Sequence, residues 1–184
     1  GDTFSIPYAI LIDQADGAVS IVGQGMGATT LKLLDAGADT QTSVIHIRGD
    51  STGYRTAPTM LARLTLDGNA SNQPSWADFG ILTSGYAKEI TLDSVEIKNY
   101  KKFGAHLLRD SQNVRAIGCK VDTTQATDAG LRIEAPGAYI ANSLFIGSTT
   151  SQVVSLLLAA NVDISVFADN GTIVNNIFIG GQPL

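Results

Sequence analysis

The chain has 184 residues, a net charge of −5 and a hydrophobic content of 44%. That much apolar material excludes a disordered protein, and the length suits a single domain over residues 1–184. The acidic balance argues against nucleic-acid binding. The longest apolar run, residues 153–160, is far shorter than the roughly 20 residues of a membrane helix, and the first residues lack the basic start of a signal peptide. We therefore expect neither a nucleic-acid nor a membrane partner.

A short phrase of alternating apolar residues returns along the chain. In chain order it ends at Leu33, Leu66, Ile97, Val121, Ile146 and Ile179. The two steps from Ile97 to Ile146 are short and nearly equal, and the other steps are somewhat longer. A recurring period of this kind, built on strand-like residues, is typical of a β-solenoid. The sequence therefore predicts an all-β solenoid of about six coils, with loops in the longer steps.

A second phrase keeps the same period. Residues 79–82 (Phe-Gly-Ile-Leu) recur as residues 103–106 (Phe-Gly-Ala-His) and as residues 129–132 (Ala-Gly-Leu-Arg), so the three glycines are almost evenly spaced. Two phrases on one period predict two sheets along a common axis. Because the connections are too short for crossover helices, the simplest arrangement is a parallel β-helix.

Alternation along the strands assigns each side chain to the interior or to the surface. On the first sheet Ile146 is predicted to face inward, which leaves Phe145 and Phe178 outside. Two outward aromatic residues on adjacent coils favour cover by a loop; the alternatives are a partner, such as a second copy of the chain, and the rest of a longer chain. Neither end of the chain has an evident helical cap, so self-association through the coil ends is also expected if loops do not cover them. Glu96 and Lys120 are predicted to form a surface ion pair.

The second sheet carries the candidate functional residues. Its alternation places Leu82, His106 and Arg132 in one outward column, with Glu134 beside it. Seven of the chain's twelve basic residues fall between Lys98 and Arg132, and such a local excess attracts anionic ligands. A solvated rim that binds nothing is the alternative interpretation.

One chemistry that suits this face is removal of the proton beside a uronate carboxylate, which needs a base, a cation and an acid. His106 is the candidate base. The candidate cations are Arg132, Arg109 and Lys102, and the candidate acids are Tyr100 and Tyr86. Further substrate contacts are expected from Lys101, Lys102 and Glu134.

Two other reactive residue types receive structural interpretations. His46 lies within a strand phrase and is interpreted as structural, and Cys119 occupies an apolar slot of the repeat, where a small buried residue is expected. No His or Cys cluster has metal-ligand spacing. No cofactor is therefore assigned, and calcium is left open.

Residues 19–33, which contain Gly-Gln-Gly-Met-Gly-Ala-Thr-Thr, resemble the first full coil of pectin-lyase-like right-handed parallel β-helix proteins. Together with residues 64–69 (Leu-Thr-Leu-Asp-Gly-Asn), they are most similar to the catalytic modules of secreted bacterial mannuronan C5-epimerases. Related phrases occur in polysaccharide lyases and phage tailspikes. The resemblance implies a right-handed β-helix that is secreted, on a cell surface or on a virion. The first strand begins almost at Gly1 without the usual capping helix, which indicates a fragment or a trimmed cap.

The active-site strand of those epimerases carries Tyr-Gly-Phe-Asp-Pro-His-Glu, and the matching stretch is residues 103–109. Phe103 stands in place of the tyrosine, His106 of the aspartate and Leu108 of the histidine. The resemblance implies an epimerase-like or lyase-like action on an anionic, uronate-containing polysaccharide. The alternatives are a non-catalytic β-helix segment of a tailspike or surface adhesin, and a solenoid that serves only as a scaffold.

Overall fold

The computed structural model describes residues 1–14, 17–35, 43–50, 57–73, 78–108, 111–124, 129–147, 154–158 and 171–180. Seventeen strands run through these ranges. They are β1 (Asp2–Ile6), β2 (Ile10–Asp13), β3 (Val19–Val22), β4 (Thr29–Leu33), β5 (Ser43–Arg48), β6 (Thr59–Asp67), β7 (Phe79–Ser84), β8 (Lys88–Lys98), β9 (Phe103–Leu107), β10 (Gln112–Ile117), β11 (Lys120–Asp122), β12 (Ala129–Ile133), β13 (Tyr139–Ala141), β14 (Leu144–Ile146), β15 (Val154–Leu158), β16 (Thr172–Val174) and β17 (Ile177–Ile179). A 3₁₀ turn covers Ala70–Asn72.

The strands form two parallel sheets that share one core. The smaller sheet has the order β15-β12-β9-β7-β5-β2, and the eleven other strands make the larger sheet. Within the described ranges the smaller sheet contributes one strand to each of six coils, and β16 and β17 begin a seventh. The prediction of an all-β parallel β-helix of about six coils is confirmed. None of the helical segments in the described residues has the length and apolar character needed to cross a membrane.

Residues with left-handed backbone conformation turn the chain within the larger sheet. They stand at equivalent positions of successive coils and are Arg63, Ser94, Gly118, Asn142 and Asn175, with φ of 54°, 55°, 63°, 53° and 53°. Glycine and asparagine adopt this conformation at little cost, whereas most other side chains clash with the backbone there. Because a left-handed residue interrupts an extended strand, the larger sheet bends along this line and each coil becomes three-sided.

The predicted register of the larger sheet is wrong at one of its last steps. Val121 pairs with Phe145, and Phe145 with Phe178, so the step from Val121 ends at Phe145 and not at Ile146. Phe145 is 0% exposed, and its ring stacks on that of Phe178 at 5.1 Å. Since a slip of one residue exchanges the two faces of a strand, Phe145 is a core residue and not a surface for self-association.

The first step of the repeat also differs from the prediction. Leu66 pairs with Leu31 and not with Leu33, so the step begins two positions earlier than expected. Leu33 lies further along the same strand, where it still faces inward and is buried. The face assignment therefore survives this shift, because a displacement by two positions is a full period of a strand.

The outward column of the larger sheet confirms the predicted ion pair. Lys120 Nζ lies 2.7 Å from Glu96 Oε1, and Thr65 Oγ1 donates to Glu96 Oε2 at 2.9 Å. Burial acts to raise the pKa of the Glu96 carboxyl, but the hydrogen bonds from Lys120 and Thr65 outweigh it and lower that pKa. Cys119 is buried as expected, and burial raises the pKa of its thiol to about 11.

Candidate functional site

The site is built on the smaller sheet, where a glycine in each of three strands changes the alternation. A Cβ atom on Gly104 would lie 2.8 Å from Val121 Cγ1, so this position faces the core. The next residue, Ala105, is also fully buried. Two successive inward positions bring the side chains on either side, Phe103 and His106, to the same outward face.

The outward column of this sheet has the predicted register. His106 pairs with Leu82 on one side and with Arg132 on the other. Phe103 likewise pairs with Phe79. The predicted adjacency of His106 and Arg132 on one face is thus confirmed.

Two aromatic rings lie beside the imidazole of His106. The rings of Phe79 and Phe103 stack 5.8 Å apart with an interplanar angle of 5°. The imidazole lies 5.1 Å from the Phe103 ring and 5.6 Å from the Phe79 ring, and Arg132 Cζ lies 5.5 Å above the Phe103 ring. Sequence reasoning missed Phe79, although it stands at the same position of the repeated phrase as Phe103 and could have been found there.

One buried carboxylate oxygen joins the two polar members of this face. Glu134 is 4% exposed, and its Oε1 lies 3.2 Å from His106 Nε2 and 2.8 Å from Arg132 Nε. The contact with Arg132 is an ion pair, since Nε does not reach hydrogen-bond geometry. A buried carboxylate needs such partners because desolvation of an unpaired charge is costly. The His106 cluster is defined here as Phe79, Phe103, His106, Arg132 and Glu134.

The surroundings of His106 favour its neutral form. Burial lowers the pKa of the imidazole most strongly, and the charge of Arg132 lowers it further. The hydrogen bond and charge of Glu134 act in the opposite direction but do not compensate, so the net shift is downward. A neutral imidazole has a lone pair and can accept a proton.

The two predicted lysines lie at the opposite end of strand β9 from His106. Lys102 Nζ forms an ion pair with Asp78 Oδ2 at 2.7 Å, and Lys101 Nζ donates to the carbonyl of Gln73 at 2.6 Å. Lys102 directly precedes Phe103 and therefore borders the aromatic end of the His106 cluster. Their expected role as substrate contacts stays a prediction.

The structure does not bring Tyr100, one of the two predicted acids, to this face. Tyr100 is 1% exposed and points into the core, where burial raises the pKa of its phenol well above the usual range, with a further contribution from Asp122. Its expected role as a substrate acid is corrected, because a corner between two sheets turns its side chain inward. Tyr86 follows strand β7 and bridges Asp50. The predicted cation Arg109 lies outside the described residues.

The basic stretch does not form one face, contrary to the sequence-based interpretation. Lys98 and Lys120 lie on the larger sheet, where both approach Glu96, at 3.8 and 2.7 Å. Arg115 packs over the Tyr139 ring on the same sheet at 5.3 Å. The coil divides these cations among different sides because successive strands of one repeat belong to different sheets.

Within the described ranges, no group of three or more His, Cys, Asp or Glu side chains is arranged to hold a metal ion. Calcium therefore has no assigned site here. The functional groups of the His106 cluster are one imidazole, one carboxylate, one guanidinium and two phenyl rings.

No protein-family model and no curated protein sequence matches the chain. Two solved structures from Azotobacter vinelandii are similar to it. The A-module of mannuronan C-5 epimerase AlgE6 aligns with a TM-score of 0.64 and 20% identity over 99% of this chain and 49% of that one. The A-module of AlgE4 aligns with a TM-score of 0.62 and 18% identity over 96% and 57%. The chain has the fold of these modules.

The similarity to the epimerase A-modules concerns the parallel β-helix alone, since the identities are 18% and 20%. The chain spans about half the length of these A-modules. The predicted resemblance in fold is confirmed. The chemistry must be argued from the residues of the His106 cluster themselves.

The two charged neighbours of His106 should shift its pKa in opposite directions. Replacing Arg132 with glutamine should raise the pKa of His106, and Glu134→Gln should lower it, because the first removes a repelling charge and the second an attracting one. Titration of the imidazole signals by NMR measures both shifts. His46 is the internal reference, since its low pKa stems from burial and Arg48. Shifts of the same sign in both variants would contradict the geometry.

Proposed function

We propose that this chain is a carbohydrate-active β-helix protein that binds an anionic, uronate-containing glycan across the His106 cluster and cleaves it by elimination. The observation that carries the proposal is the convergence of His106 Nε2 and Arg132 Nε on the buried Glu134 Oε1. Support for a glycan comes from the epimerase A-modules with the same fold. The proposal includes a secreted, cell-surface or virion location, where a protein encounters such polymers.

Glu134 decides which nitrogen of His106 acts as the base. An ionised carboxylate only accepts hydrogen bonds, so the Nε2–H of His106 donates to Glu134 Oε1. The proton on Nε2 leaves the lone pair on Nδ1. Glu134 therefore orients the imidazole in the way a carboxylate orients the histidine of other proton-transfer sites.

Arg132 supplies the cation for the uronate carboxylate. Its Nε faces Glu134, and no described residue is paired with the terminal nitrogens of the guanidinium, which suit a bidentate contact with a carboxylate. Pairing with this cation stabilises the charge that develops when the neighbouring proton is removed. The half-buried Phe79 ring, stacked on Phe103, offers an apolar surface to the C–H face of a sugar ring.

The elimination uses one group for both proton transfers. His106 Nδ1 takes the C5 proton, and the electron pair of the C–H bond forms the C4=C5 double bond as the C4–O bond breaks. The leaving oxygen then receives the proton from the imidazolium. The products are a shortened glycan with a free hydroxyl and a glycan that ends in an unsaturated uronate.

Elimination is favoured over epimerisation by the number of proton-transfer groups. Epimerisation requires a second group that returns a proton to the opposite side of C5. Of the two predicted acids, Tyr100 lies in the core, and Tyr86 follows strand β7 and forms a bridge with Asp50. His106 alone completes an elimination.

His106→Gln should reduce formation of unsaturated product by about 100-fold or more, the usual contribution of a general base. The substrates are polymannuronate, alginate and polygalacturonate, and the readout is the ultraviolet absorbance of the conjugated double bond. Lys32→Gln on the larger sheet is the matched control and should keep full activity. Proton exchange at C5 without unsaturated product would replace elimination by epimerisation. Inertness of the wild type on all three polymers would overturn the catalytic proposal.

A non-catalytic glycan-binding segment of a tailspike or surface adhesin is the second candidate. The observation that favours it is that Arg132 and Lys102 are both held by acidic partners, as in a rigid binding surface. In that case His106→Gln keeps glycan affinity, whereas Phe79→Ala lowers it. Oligouronate binding by the wild type in isothermal titration, without any unsaturated product, distinguishes this function from elimination.

A further inference from the structure

A second reactive pair lies on the same outward face of the smaller sheet, with Leu82 between His46 and His106. Ser84 Oγ is 2.8 Å from His46 Nε2, and both side chains are half-buried. His46 belongs to β5 and Ser84 ends β7, the next strand along the axis. The sequence-based interpretation of His46 as structural did not foresee this contact, because the two residues are 38 positions apart.

We propose that Ser84 and His46 form a nucleophilic site that hydrolyses short-chain acyl esters. A hydroxyl within hydrogen-bond reach of a neutral imidazole is the arrangement that activates a serine nucleophile. The contact at 2.8 Å meets this condition directly. The activity is independent of uronate elimination, since it uses a different histidine and a different bond.

The surroundings of His46 suit a general base. Burial, and then the charge of Arg48, lower the pKa of His46, which keeps the imidazole neutral and able to take the serine proton. Arg48 is the register partner of Ser84, and its side chain is 51% exposed. Asp13 Oδ2, on the neighbouring strand β2, holds Arg48 Nη2 at 2.7 Å, so this cation lies on the side of β5 away from Ser84.

Apolar neighbours indicate the kind of acyl group. Leu11 and Leu82 flank His46 in the same outward column, and Leu11 is an exposed side chain. They offer a short apolar surface on an open sheet, where a small acyl chain gains contact without an enclosed cavity. A short-chain ester, on a small molecule or on a polymer, fits such a surface.

The reaction balances with water as the only co-substrate. Ser84 Oγ attacks the carbonyl carbon and its proton passes to His46 Nε2. The ester C–O bond then breaks, and the departing alkoxide takes that proton from His46. Water, deprotonated by His46, attacks the acyl-serine, and the proton returns to Ser84 Oγ as the carboxylic acid leaves.

The test uses 4-methylumbelliferyl acetate as substrate and a fluorophosphonate as a label for the nucleophile. Ser84→Ala and His46→Gln should each lower ester hydrolysis by about 100-fold or more, whereas Ser20→Ala, at an exposed serine of the larger sheet, should not change it. Peptide mapping of the labelled wild type should place the fluorophosphonate on Ser84, a result that requires no variant to fold. Equal hydrolysis by wild type and Ser84→Ala, or a label absent from Ser84, would overturn the proposal. Because the substrate contains no uronate, either result leaves the elimination at His106 untouched.

Discussion

Phe145→Ala should lower the free energy of unfolding by about 3–5 kcal/mol, whereas Leu144→Ala should cost about 1 kcal/mol. Phe145 is fully buried, stacks on Phe178 and pairs with the inward Val121, so its removal leaves a cavity in the core. Leu144 pairs with Lys120 in the outward column and loses less contact when truncated. Urea denaturation of the two variants measures the difference.

The pair of variants decides the register of strand β14. An inward Leu144 and an outward Phe145 would reverse the order of the two losses, because a one-residue slip exchanges the faces. A larger loss for Leu144→Ala would therefore contradict the pairing of Val121 with Phe145. The comparison is internally controlled, since both residues lie in the same short strand.

Gly104→Val should destabilise the protein by about 3 kcal/mol or more. A Cβ at this position collides with the carbonyl oxygen of Gly130 on the next coil and lies 2.8 Å from Val121 Cγ1. Neither atom can move aside easily, because one is backbone and the other belongs to the packed core. Since Gly104 brings Phe103 and His106 to one face, the His106 cluster should be lost together with the stability.

Gly137→Asn is the matched control for this glycine. Gly137 has φ of +69°, and the nearest atom to a Cβ there is 4.0 Å away. Asn113 occupies the equivalent position one coil earlier with φ of 53°, so asparagine suits the conformation. The midpoint of thermal unfolding should fall strongly for Gly104→Val and hardly change for Gly137→Asn. Equal midpoints for the two variants would show that the close approach at Gly104 is not a constraint.

The register of the smaller sheet could be predicted and that of the larger sheet only in part. In the smaller sheet the second residue of each repeated phrase is a glycine, and these glycines align the strands without ambiguity. Strand β14 contains three apolar residues in a row, so alternation cannot tell which of them faces inward. Contacts between coils settle it: Ser143 Oγ accepts from the Cys119 N–H at 3.1 Å, and the Gly118 N–H donates to the Ala141 carbonyl.

The candidate site shows the same division. Spacing placed His106 beside Arg132, because both stand at the same position of a repeated phrase. Spacing could not show that His106 and Arg132 both contact one oxygen of Glu134, nor that His46 forms a hydrogen bond with Ser84. These contacts depend on the direction of the side chains. Tyr100 lies at a corner between sheets, where alternation makes no prediction, and the corner turns it into the core.

The amino-acid sequence by itself determined the period, the parallel β-helix and the column that contains His106. Period and alternation are local properties of the chain, and they do not depend on how the neighbouring coil is aligned. Only the tertiary structure decided which apolar residue of β14 enters the core, how the basic residues divide among the sides of the coil, and which polar atoms meet. Those outcomes depend on contacts between residues that are distant in sequence and lie on neighbouring coils, such as Phe145 with Val121 and Ser84 with His46. A shift of one residue in the pairing of two coils exchanges the inward and outward faces of the whole strand.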